Sequence, residues 1–228
     1  VLPTFAVIPG LRAMGSSMQR IDINLAALLH GEQSVVVHRP LPASATVTVS
    51  GRIANVWDKG KAAVIVFEGS ATDDAGPLFD VMASLFVMGG GGWGGERGPS
   101  GSPGATAPDR EPDLVVERET RPEQAAIYRL SGDMNPMHID PDFATMAGFP
   151  GPFNHGLCTF GIVGHSVLSA WCGGDVNRFG SISGRFADQV WPGDTIVTRL
   201  WDLGDDAVVE ARTQRGNTVI SSGRATRR

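Results

Sequence analysis

Two stretches of this chain, far apart in sequence, share the same plan. Thr46-Val47-Thr48-Val49 leads through Val56-Trp57-Asp58-Lys59-Gly60 to Ala63-Val64-Ile65-Val66-Phe67. Likewise, Thr195-Ile196-Val197-Thr198 leads through Leu200-Trp201-Asp202-Leu203-Gly204 to Ala207-Val208-Val209-Glu210. Each is a β-branched run, a turn containing glycine and a second β-rich run, the pattern of adjacent antiparallel strands. A third strand is expected in each half, near Asp80 to Val87 and near Val219 to Ala225. Between the halves, residues 89 to 113 are rich in Gly, Pro and Ser and read as a linker. The expected organisation is a first repeat over 1–88, the linker over 89–113 and a second repeat over 114–228. Gly89, Gly91 and Gly94 have the Gly-x-Gly-x-x-Gly spacing of a nucleotide-binding loop. The residues after Gly94 are polar and broken by proline, with no helix start, so that reading fails its context.

The second repeat carries a helical pattern that the first lacks. From Gly156 to Cys172 the residues Leu157, Phe160, Gly164, Leu168 and Trp171 recur at helical spacing. Ile162, Val163 and Val167 fill other faces, so this helix is expected to be buried nearly all round. Gly161 and Gly164 weaken helix propensity by about 1 kcal/mol each and are expected to permit close packing on a sheet. Leu29-His30-Gly31 rhymes faintly with Asn154-His155-Gly156. The Trp-Asp pairs lie 144 residues apart and the His-Gly pairs 125, so the second half holds 19 more residues between these landmarks. The expected fold is α+β: a double hot-dog of two curved antiparallel sheets, with a long central helix in the C-terminal half and a reduced one in the N-terminal half. The reduced helix would leave a hydrophobic channel.

Composition narrows the function. At 42% hydrophobic over 228 residues the chain can bury a core, and a net charge of −5 argues against nucleic acid as a partner. No run approaches the roughly 18 apolar residues of a membrane span. Cys158 and Cys172 read as small core residues, and no Cys/His ladder suggests a metal. The N-terminus lacks the pattern of a secretory signal and the C-terminus that of a peroxisomal address, so a cytoplasmic location is expected.

The chemistry concentrates in residues 119 to 161. Thr120 and Glu123 have capping-box spacing ahead of a helix through Leu130. Ser131 to Pro136 is a turn by composition, and Asp140 should cap a short helix that starts at Pro141 and stops before Gly148. Asp133 and His138 therefore sit on a loop between two short helices. Taken alone, an Asp and a His five residues apart are more often a capped turn with a solvated His.

The run YRLSGDMNPMHIDPDFATMAGF, followed by HGLCTFG, closely resembles the signature of the hydratase 2 family of MaoC-like dehydratases. That family includes the hydratase domain of peroxisomal multifunctional enzyme type 2. The likeness continues in Leu29-His30-Gly31-Glu32-Gln33, Arg39-Pro40-Leu41-Pro42, Asp58-Lys59-Gly60, Arg185-Phe186 and Pro192-Gly193. It implies hydration of a trans-2-enoyl-CoA to the (3R)-hydroxyacyl-CoA, or the reverse dehydration, in fatty acid β-oxidation or in supplying hydroxyacyl units, with no metal or other cofactor. Asp133 and His138 would bind and polarise the water, Asn135 would help position the site, and the Gly156 N–H would donate to the thioester carbonyl. Supporting roles fall to Glu32, Tyr128 and His155, and a homodimer is expected. His165 reads as a core histidine, and Arg178 and Arg185 as candidate phosphate contacts. Two departures stand out: family members carry several dozen residues ahead of the segment matching Val1, and Asn154 stands where an aliphatic residue is expected. A carrier-protein-linked 3-hydroxyacyl dehydratase, a hot-dog acyl-CoA thioesterase and a non-enzymatic acyl-thioester binding module are the competing readings.

Overall fold

The computed structural model describes residues 1–18, 21, 27–99 and 105–228. The first repeat opens with a 3-10 turn (Pro3–Ala6) and helix α1 (Val7–Met18). Strands β1 (Leu28–Val37), β2 (Thr48–Asp58), β3 (Ala62–Asp73) and β4 (Gly76–Met88) come next. The second repeat begins with β5 (Leu114–Glu119) and the helices α2 (Gln124–Tyr128), α3 (Pro141–Met146) and α4 (Gly156–Ser166). It ends with β6 (Phe179–Phe186), β7 (Thr195–Asp202), β8 (Asp206–Thr213) and β9 (Thr218–Arg227). The paired meanders and both third strands are where the sequence implies them.

The two sheets are joined edge to edge into one antiparallel sheet, in the order β2-β3-β4-β1-β6-β9-β8-β7-β5. Apart from β5, that order is a palindrome about the β1–β6 seam, where Glu32 lies opposite Arg185 and Val35 opposite Ile182. Helix α1 precedes β1 as α4 precedes β6, so the helix α1 and the strands β1–β4 each have a counterpart in the second repeat. This is the double hot-dog.

The His-Gly rhyme does not obey that correspondence. His30 and Gly31 lie on β1, whereas His155 and Gly156 open α4, so the 19-residue difference does not measure a missing helix. The helix of the first repeat is α1, twelve residues against the eleven of α4, and Pro9 and Gly10 near its start obscure it in the sequence.

Helix α4 continues as a π-helical turn over Val167–Trp171. Leu157, Phe160, Val163, Val167 and Trp171 are all buried against Phe79, Ile182, Ile196, Leu200 and Ile220 from both repeats. Each such side chain contributes about 1.5–3 kcal/mol. His165 contradicts the core assignment: it is the exposed residue of α4. Gly164 does permit close packing, but against the first repeat's 3-10 turn, because a Cβ there would lie 2.3 Å from Thr4 Cγ2. At Gly161 a Cβ would meet nothing within 4 Å.

The glycines of the linker serve a different purpose from nucleotide binding. Asp58, at the end of β2, accepts hydrogen bonds from the N–H groups of Gly60, Gly92 and Gly94, each at 2.8 Å. Gly89, Gly92 and Gly94 have φ of 78°, 90° and 81°, which glycine alone adopts readily. The bonds from Gly92 and then Gly60 are the main reason the Asp58 carboxyl falls to about 2. Asp58→Ala is expected to release residues 89–99, so limited proteolysis should cut there faster than in the wild type while turnover is unaffected. Unchanged cleavage would mean the strands alone hold the loop.

Candidate active site

Helix α2 and a 3-10 turn over Arg129–Ser131 end at Gly132, whose φ of 116° reverses the chain. The expected capping box is absent, because Thr120 Oγ1 instead donates to the Asp194 carbonyl at 2.8 Å. Asp133 comes directly after Gly132, and its Oδ1 accepts the Asn135 N–H at 3.2 Å. Asn135 caps the next 3-10 turn, Pro136–His138, by accepting the Met137 N–H at 3.1 Å. Asp140 caps α3 as expected, accepting from the N–H groups of Asp142 and Phe143. Asn135 is thus engaged in shaping the turn that carries His138.

Two carbonyls fix the imidazoles. His138 Nδ1 donates to the Phe153 carbonyl at 2.9 Å, which leaves Nε2 of the neutral ring as an acceptor. His155 Nε2 donates to the Asp133 carbonyl at 3.2 Å. The two rings lie 3.9 Å apart at 34°, with the Tyr128 ring 4.9 Å from His155. Asp133, His138 and His155 each offer one ligand atom, all within 4.8 Å of one another. Two groups hydrogen-bonded to one water lie about 4.5 Å apart, from arms of about 2.8 Å at a tetrahedral angle. The 4.8 Å bound on the Asp133 and His138 ligand atoms is of the same order as that span. Among the described residues this is also the one cluster able to hold a metal ion.

Gly156 is the first residue of α4, and its N–H has no partner among the described residues. First-turn N–H groups carry the positive end of the helix dipole. A cavity of about 560 Å³ brings these groups together: Asp133, Asn135, His138 and Gly156 line it from the second repeat. From the first repeat come Leu11, Met14, Leu28, Leu85 and Phe86, which make that side apolar.

Further residues noted in the sequence lie on the cavity wall or outside it. His30, part of the Leu29–Gln33 run that resembles the family, lines the cavity, its ring set edge-on against Phe186 at 4.9 Å. A register shift in the β1–β4 pairing between His30 and Glu32 re-aims that side chain. Glu32 lies outside the cavity wall, opposite Arg185 and 3.5 Å from Ser84 Oγ. Of the two candidate phosphate contacts, Arg185 lines the cavity and Arg178 does not; its Nη1 approaches the Cys172 carbonyl at 3.5 Å. Asn154 is buried, and both polar atoms of its side chain lack a partner among the described residues, which costs about 1–3 kcal/mol.

Residues 104–223 match the family model of the MaoC like domain, and residues 1–89 match that of the MFE-2 hydratase 2 N-terminal domain. The chain belongs to the MaoC-like hydratase 2 family. It is 38% identical over 231 residues to a probable enoyl-CoA hydratase 2 of Dictyostelium discoideum, covering 97% of this chain and 79% of that protein. It is 44% identical over 226 residues to 3-hydroxyacyl-thioester dehydratase Y of Mycobacterium tuberculosis, covering 96% of this chain and 73% of that one. The full-length peroxisomal multifunctional enzyme type 2 from Drosophila melanogaster superposes with a TM-score of 0.87 at 36% identity, over 100% of this chain and 41% of that chain.

In this hydratase 2 family member burial disfavours the charged form of three imidazoles, His30, His138 and His155. Burial lowers His138, opposed by the Phe153 carbonyl and the Asp133 charge. Burial, and then the neighbouring His138, lower His155 to about 4; burial brings His30 to about 4 as well. Tyr128 is pushed well above the usual phenol range by burial, and the Cys158 thiol up to about 11, so neither ionises at neutral pH.

The unfolded chain binds protons at His30, His138 and His155 below about 6.5, whereas in the folded chain burial lowers the pKa of all three. The stability that neutral histidines contribute is complete above pH 6.5 and is lost as pH falls toward about 4. Thermal melts from pH 7 to 4.5 should therefore show a falling Tm, and His155→Phe should flatten the slope. A Tm independent of pH in that window would contradict this.

Proposed function

We propose that the chain hydrates trans-2-enoyl-CoA thioesters to (3R)-hydroxyacyl-CoA, and catalyses the reverse dehydration at the same site. One observation supports this reading most: Asp133 and His138, with ligand atoms within 4.8 Å of one another, share a cavity with the first N–H of α4, at Gly156. Water on Asp133 and His138 adds its oxygen to C3. The member of the pair that takes the water proton returns it to C2, so atoms balance without a cofactor. As the C3–O bond forms, negative charge moves to the thioester oxygen, where the Gly156 N–H and the α4 dipole stabilise it. The apolar wall from the first repeat suits the acyl chain.

The test is a spectrophotometric assay of enoyl loss from crotonyl-CoA and a long-chain 2-enoyl-CoA, with the product resolved by chirality. Loss of enoyl absorbance with intact thioester and a (3R) product is expected. Release of free thiol would point to a thioesterase, binding without turnover to an acyl-thioester module, and a (3S) product to a different water face.

A further inference from the structure

Thr159 is the fourth residue of α4 and is only 3% exposed. A threonine inside a helix commonly turns its hydroxyl back to the carbonyl four residues before it, here that of His155. Thr159 does not. Its N–H donates to the His155 carbonyl at 3.2 Å, but its Oγ1 makes no hydrogen bond among the described residues. Nor is that oxygen sealed in. The Asn154 carboxamide and the Tyr128 hydroxyl are unpartnered and closed off, whereas the Thr159 hydroxyl keeps surface of its own. The space that Thr159 borders is the catalytic cavity, which it shares with Asp133, His138 and Gly156. A free hydroxyl on an otherwise buried residue therefore opens onto the reaction chamber.

The helix fixes which part of the chamber it faces. Thr159 stands one turn after His155 on the same side of α4, as the 3.2 Å bond between their backbones requires. The His155 ring lies 3.9 Å from that of His138. Side chains on a helix lean back toward its start, so the hydroxyl leans toward these two imidazoles.

The chemistry of the pair supplies its partner. As a carboxylate Asp133 only accepts hydrogen bonds, and His138 Nε2 accepts as well, because Nδ1 donates to the Phe153 carbonyl. A water held between them gives both hydrogens away and keeps two lone pairs. One of these must point at C3 of the enoyl thioester. The other is left without a donor.

We propose that Thr159 is the third hydrogen-bond partner of the reacting water, its O–H donating to the oxygen while Asp133 and His138 hold the hydrogens. The remaining lone pair is thereby aimed at C3. In dehydration the same O–H donates to the departing C3 oxygen. No bond to Thr159 forms or breaks in either direction, so the balance of the reaction is unchanged. The inference rests on the hydratase reading above.

Thr159→Val tests it, since a methyl group of similar size replaces the hydroxyl. On crotonyl-CoA kcat should fall about tenfold with KM little changed, the loss expected from one hydrogen bond. Thr159→Ser keeps the donor and should restore most of that loss. Thr159→Ala removes the hydroxyl without asking the site to accept a new methyl, and serves if the Val variant misfolds. Butyryl-CoA, which has no double bond to hydrate, should inhibit the wild type and all three variants with the same Ki. Turnover near the wild-type value in the Val and Ala variants overturns the proposal. So does an equal loss in the Ser variant, or a Ki that rises as kcat falls, because packing rather than the donor would then explain the effect. Wild-type protein that does not hydrate crotonyl-CoA would remove the hydratase reading and this inference with it, before any variant is made.

Discussion

Asp133→Asn and His138→Asn are each expected to lower kcat on crotonyl-CoA by about 10²–10⁴-fold, the usual worth of a positioned acid or base. Both variants should fold. Asn at 133 keeps the oxygen that accepts the Asn135 N–H, so the turn survives while the charge that attracts the water proton is lost. Asn at 138 can still donate to the Phe153 carbonyl, but it has no imidazole lone pair where Nε2 was. Because both groups act on one water, the double variant should be little worse than the poorer single one. The measurement is steady-state kinetics beside circular dichroism. Near-normal turnover in both single variants would remove the water-binding pair from the mechanism.

Gly156→Pro should be almost as damaging, about 10²–10³-fold in kcat, because it deletes one N–H and little else. Proline is well suited to the first position of a helix, where the lost donor bonds no carbonyl. It also demands an extended residue before it, and His155 already has φ −56° and ψ 137°. Its extra carbons do press on Phe186, since a Cβ at 156 would lie 3.3 Å from that ring. Gly156→Ala separates the two effects: it adds the Cβ and keeps the N–H. If Ala costs a few-fold and Pro costs hundreds, the loss belongs to the donor. If both variants fall alike, crowding at Phe186 explains the result and the N–H has no special role.

Legibility in the sequence depended on the kind of signal each element leaves. The meanders were plain because β-branched runs and glycine turns are local, and α4 because its apolar spacing is regular over three turns. Helix α1 was harder to read: Pro9 and Gly10 near its start suggest a break, yet the helix runs through them from Val7 to Met18. The seam between repeats was not legible either, since strand pairing between β1 and β6 joins residues about 150 positions apart with no local mark. At the site, the positions of Asp133, His138 and Gly156 came from a motif and the cap at Asp140 from composition. Thr120 had the spacing of a helix cap, but the Asp194 carbonyl claims its hydroxyl, a long-range competitor that no window of sequence contains. The approach of His30 depends on a pairing irregularity between β1 and β4, and the orphaned carboxamide of Asn154 on what does not surround it.

Because β1 and β6 hydrogen-bond directly, the alignment of those two strands is the gauge that sets one wall of the reaction chamber against the other. His30 travels with β1 and Phe186 with β6, and each step of slippage would carry them about 3.3 Å past one another while turning every side chain of the moving strand to the opposite face. Insertion or deletion of a single residue within either strand would misalign the chamber before it unfolded the protein.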